Sequence, residues 1–148
     1  MCVMVYIAAD RPLPEVPQEW QAPGSEMVHF HVMETDKRSE ETLYARDYLT
    51  KPYLYYVCTY LGCGCDFQYT GKFSAEHRSC LAVQGLAEYL RAMVPAGPIE
   101  MLAYGHGSGE PKAGEYKIVT PAYFGGDDFG FNAGTELMLV VPEDSPSA

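Results

Sequence analysis

From Cys2 to Ala9 the chain is apolar at odd and even positions alike (Cys-Val-Met-Val-Tyr-Ile-Ala-Ala). Such a run predicts a strand covered on both faces, at the centre of a sheet. Met27 to Glu34 has a different pattern. Val28, Phe30 and Val32 share one face and His29 and His31 the other, the period of a half-buried strand whose two histidines project together. Tyr53 to Tyr60 is the richest stretch in aromatic and β-branched residues and predicts a further strand.

Helical spacing occurs twice. Ser39 to Thr50 opens with Glu40 and Glu41, presents a thin apolar face of Leu43, Tyr44 and Tyr48, and is stopped by Pro52. The second segment begins at Ser74, which reads as an N-cap, with Glu76 in the first turn. It continues to about Val94: Cys80, Val83, Ala87, Leu90 and Val94 recur at helical spacing, and Leu86 and Met93 widen the stripe. Pro95 and Gly97 end it.

Ile99 to Tyr104 and Glu136 to Val141 read as later strands. Glu115 to Phe124 reads as another, which Pro121 interrupts or forces to an edge. Between Asp10 and Ser25 four prolines (Pro12, Pro14, Pro17 and Pro23) break regular structure, so an extended loop anchored by Trp20 is expected. The strand–helix–strand unit from Tyr53 to Tyr104 has the size of a parallel crossover, and the shorter connections suggest hairpins. The expected fold class is α+β or mixed α/β: a single mixed sheet of five to six strands, with two helices mainly on one face.

A length of 148 residues fits one domain, taken as 1–141 with the Pro-rich loop at 10–25, followed by a frayed tail at 142–148. Hydrophobic residues at 47% and charged residues at 20% exclude wholesale disorder. A formal charge of -10 leaves no basic patch to neutralise phosphates, so nucleic acid is excluded as a partner. The same acidity serves solubility, or docking to a basic protein surface; a protein partner and a homo-oligomer are the partners left open. The first apolar run lacks a basic flank and reaches Asp10 and Arg11 at once, so it reads as a strand and not as a secretion signal. No apolar run approaches the ~20 residues of a bilayer helix. The cytoplasm is the expected compartment, where five cysteines, an odd number, remain thiols.

Candidate chemistry concentrates in Cys58-Thr-Tyr-Leu-Gly-Cys63-Gly-Cys65, where a strand runs into a glycine-rich turn. Cys63 and Cys65 followed by His77 and Cys80 form C-x-C-x11-H-x-x-C, and residues three apart on a helix share a face. These four side chains suit the mixed sulfur and nitrogen coordination of zinc. A competing reading is thiol chemistry, in which Cys63 and Cys65 form a tight disulfide or one attacks an electrophile near a helix start that favours the thiolate. His106, flanked by glycines in Tyr104-Gly-His106-Gly-Ser108-Gly, is then the proton-transfer candidate. That segment matches neither a phosphate-binding loop nor a nucleophile elbow. A purely structural reading, with Gly62 and Gly64 making a turn that the cysteines fill, competes with both.

Other constellations are weaker. His29 and His31 have a spacing used for metals, with Cys2 as an extra donor, but a solvent-facing or loop-covered pair is the simpler account. Gly125-Gly-Asp127-Asp128 lacks the ligand series of a calcium loop and reads as a surface turn. The tyrosines of 53–60 read as core with their hydroxyls at its margin. The leading functional expectation is therefore a metal-binding, zinc-type or thiol protein. The alternative is a noncatalytic binding or regulatory module that uses its acidic surface and the Trp20 loop against a protein partner.

Overall fold

A computed structural model of the chain describes residues 3–16, 30–35, 40–59, 78–105, 116–124 and 136–143. The first apolar run forms β1 (Val3–Ala9), and it lies inside the sheet between β3 (Tyr53–Thr59) and β4 (Ile99–Gly105). With β2 (Phe30–Glu34), β5 (Lys117–Val119) and β6 (Glu136–Val140), the order is β2-β3-β1-β4-β6-β5. All neighbours pair antiparallel except β5 and β6, which are parallel. The helices are α1 (Glu40–Arg46) and α2 (Arg78–Met93). The fold is thus α+β, one mixed six-stranded sheet with two helices, as the pattern of the chain predicts.

The central position of β1 follows from its composition. Val5, Ile7 and Ala9 enter one core, beneath α2, and Tyr6 and Ala8 enter a second core on the opposite face. The expected crossover takes a modified form: β3 and β4 run in the same direction, but β1 is inserted between them, antiparallel to both. The expected edge role of the Pro121 segment also holds. β5 is an edge strand of three residues, and Pro121 opens a 3-10 turn immediately after it.

The helices differ from the expectation in two respects: α1 ends at Arg46 and does not run on to Thr50, and the two helices lie on opposite faces. α2 fills one face with Ala82, Val83, Leu86, Ala87, Tyr89 and Leu90. α1 packs on the other, where Ala45 and Leu49 meet Tyr6, Leu54 and Leu102. The reason is that both faces of β1 and β4 are apolar, so neither can be left to water. A seven-residue helix is far too short to be stable alone. Tertiary contacts hold it: Tyr44 lies 4.7 Å from Tyr104, and the Arg46 guanidinium donates to Leu49 O at 3.3 Å and Lys51 O at 2.5 Å.

After β1 the chain forms a strap. Arg11 donates to the carbonyls of Met93 and Gly97 at the C-terminus of α2, where a cation also meets the negative end of the helix dipole. Leu13 N–H donates to the Tyr55 hydroxyl at 2.9 Å, and the Tyr89 hydroxyl donates to Pro14 O at 2.7 Å. Val16 and Val32 exchange two backbone bonds of 2.9 and 3.0 Å, which covers the outer edge of β2 at that point.

Gly85 shows how closely α2 approaches β2. A glycine inside a helix costs about 1 kcal/mol relative to alanine. Here a Cβ would stand 2.6 Å from Cδ1 and 2.8 Å from Cε1 of Phe30, whose ring is itself held edge-on to Tyr89 at 5.8 Å. Gly85→Ala should therefore lower stability by about 1–3 kcal/mol despite its better helix propensity, because overpacking outweighs propensity. In urea titrations, Phe30→Leu added to Gly85→Ala should cost less than the sum of the two single changes.

Candidate functional site at one end of the sheet

Strand direction sorts the connecting segments. Val3 pairs with Gly105 and Phe30 with Thr59, so β1 and β2 begin where β3 and β4 end. Glu136 opposite Ala103 starts β6 at this same end, and β5 runs parallel to β6. α2 also starts here, since Gly85 abuts Phe30 and the far terminus of the helix receives Arg11 beyond the other end of β1.

Every segment that carries a candidate residue joins this end. Cys2 precedes β1, His29 precedes β2, Cys63, Cys65 and His77 lie between β3 and α2, and His106 follows β4. The segment with Asp127 and Asp128 leads into β6. All of these residues, and Trp20, lie outside the described residues, while Cys80 is the third residue of α2 with its side chain outside them. Among the described residues no three His, Cys, Asp or Glu side chains form a group able to hold a metal ion. Among them also, no helix is long and apolar enough to cross a membrane.

Cys58, the first thiol of the cysteine-rich stretch, lies in β3 and is 0% exposed. Burial pushes its thiol up to about 11, so it is held protonated and out of reach of solvent reagents. Its register partner is His31. His31 is 3% exposed on the α1 side of the sheet, which overturns the solvent-facing alternative and leaves the loop-covered one. Burial was not readable from β2 alone, because a polar residue on the second face of a strand becomes core only when that face is covered.

Two carboxylates escaped the reading of the sequence. Glu100 sits in the interior strand β4 at 2% exposure, next to Thr50 and Lys51 at the end of the α1–β3 connection. Its Oε1 accepts the N–H groups of Thr50 and Lys51 at 3.0 and 2.7 Å, and its Oε2 accepts the hydroxyls of Thr50 and Tyr116 at 3.0 and 2.6 Å. Four donors replace the water lost on burial. Tyr116 is pushed up to about 12 by burial, with the bond to Glu100 and its negative charge adding to the effect. This network is an anchor for α1 at the end of the sheet away from the candidate segments.

Glu136, at the start of β6, is different. Its Oε2 is buried without a hydrogen-bond partner. Burial raises its carboxyl above the usual range, although Lys117 pulls the other way. A groove of about 410 Å³ beside α1, lined by Glu34, Thr42, Leu43, Arg46 and Tyr53, lies at the Glu100 end of the sheet and gathers none of the candidate residues.

Comparisons of the chain with protein-family models, with curated proteins and with solved structures found no match. Because burial raises the folded-state value of Glu136, the folded protein favours its acid form, and the stability this contributes is present in full below the ordinary carboxylate range and lost as pH rises. Glu136→Gln should raise the melting temperature at pH 7, and the gain should disappear near pH 3, where the wild-type carboxyl is protonated in both states.

Proposed function

We propose that this protein binds a transition metal, zinc, through Cys63, Cys65, His77 and Cys80. The observation that carries the reading is the common end of the sheet: Thr59, the last described residue before the cysteine turn, pairs with Phe30, and Phe30 abuts Gly85 of the helix that begins at Arg78. The segment leaving β3 and the N-terminal half of α2 thus lie toward the same end of the sheet. Two thiols from the turn and a His-x-x-Cys pair at the helix start make a chemically consistent tetrahedral set. Cys58 is left out, since its burial in β3 serves packing. In the thiol version of the same reading, Cys63 or Cys65 is the nucleophile and His106, just beyond Gly105, moves the proton.

A second reading has its own support. The strap from Arg11 to Val16 is pinned at four points, and Val16 pairs with Val32 two residues inside β2. The segment carrying Trp20 therefore leaves and re-enters beside one sheet edge, a base suited to a noncatalytic module that meets a protein partner with an acidic surface. Elemental analysis of protein purified without chelator separates the two. The first reading expects about one zinc per chain, a value drawn from the single four-ligand set, and its loss in Cys63→Ser/Cys65→Ser. Metal-free protein whose Cys63 and Cys65 fail to react with a thiol reagent in the native state overturns the first reading in both versions.

A further inference from the structure

The groove of about 410 Å³ beside α1 has the volume of a small-ligand site. Thr42, Leu43 and Arg46 of α1 form one wall, and Glu34 at the end of β2 with Tyr53 at the start of β3 form the other. Its apolar part is not explained by packing. Leu43 is 57% and Tyr53 42% exposed, two of the three large hydrophobic side chains that the described residues leave in water, and both stand on this groove. α1 already meets the sheet through Ala45, with Leu49 just beyond its end, so Leu43 is not needed to hold the helix.

The polar part carries both signs of charge. Among the described residues neither Glu34 nor Arg46 forms an ion pair, with the other or with a third group. Arg46 spends three of its five N–H donors on the carbonyls of Leu49, Lys51 and Pro52, which leaves two N–H groups and the whole positive charge. Opposite charges that share a groove without meeting suit a ligand that carries both, since a ligand of one sign is opposed by one of them.

The main chain offers a further contact. Val32 exchanges two backbone bonds with Val16 across the outer edge of β2. Alternation therefore turns the N–H and C=O of Glu34, two residues on, to that same edge. A peptide group matches this donor and acceptor, as in strand addition, and a single amino acid has no such group.

We propose that the groove binds a short apolar peptide with free termini. The ligand's ammonium meets Glu34, its carboxylate takes the two remaining N–H groups of Arg46, and its side chains cover Leu43 and Tyr53. The site is independent of the zinc reading, because it lies at the end of the sheet away from the cysteine turn.

The test titrates the full chain by calorimetry at low ionic strength with leucyl-leucine, its N-acetyl derivative and its C-terminal amide. Leucyl-leucine should bind, and each capped probe should bind about fivefold more weakly, the upper scale of an exposed charge pair. Glu34→Gln should weaken leucyl-leucine by the same factor and leave the affinity for the N-acetyl probe unchanged, a selectivity that damage to the fold would not produce. Leu43→Ser, at an exposed position, should weaken all three. Failure of the wild type to bind leucyl-leucine overturns the site. So does an equal effect of Glu34→Gln on the free and acetylated probes, or a Leu43→Ser protein that binds as the wild type does.

Discussion

The architecture depends on the double-sided burial of β1. Val5, Ile7 and Ala9 on one face and Tyr6 and Ala8 on the other are all withdrawn from water. A strand of this kind needs a neighbour on each edge and cover on each face. β3 and β4 supply the edges, α2 one face, and α1 with a set of tyrosines the other. Each fully buried Val, Leu or Ile side chain contributes about 1.5–3 kcal/mol, which is large against a net stability of about 5–15 kcal/mol for a domain. The two layers therefore stand or fall together.

The two layers are secured differently. Under α2 the contacts are aliphatic and the helix carries its own stripe of Val83, Leu86 and Leu90. Under α1 the helix is short, and the core is built of Tyr6, Tyr104 and their neighbours, with ring pairs such as Tyr6 and Tyr56 at 5.2 Å. The polar Glu100 network fixes the exit of α1 in place of extra apolar area. Its four donors are what make a buried carboxylate compatible with an interior strand.

An asymmetry between the two ends of the sheet follows from strand direction. One end of the sheet is closed by described, mutually bonded groups: Arg11 on the end of α2, and Glu100 on Thr50 and Lys51. The other receives every segment rich in cysteine, histidine or tightly spaced glycine. Glu136 stands near that second end with one buried oxygen unpaired, a departure from the near-complete pairing of buried polar atoms.

By itself the sequence determined the elements. An unbroken apolar run marked β1, alternation marked β2, aromatic and β-branched composition marked β3, and a stripe of period 3.6 marked α2, because burial on one face leaves a repeat and burial on both leaves a continuous run. Pro121 marked the edge strand, and Pro95 with Gly97 the end of α2, because proline and glycine act through their own backbone. Tertiary structure alone decided which strands are neighbours, that α1 takes the second face, and that His31, Glu100 and Glu136 lose solvent. It also decided that the strands flanking the candidate segments begin or end at one end of the sheet. Burial of a polar side chain is a property of what packs over it, and the direction of a strand is a property of its partners, so neither leaves a periodic trace in the residues.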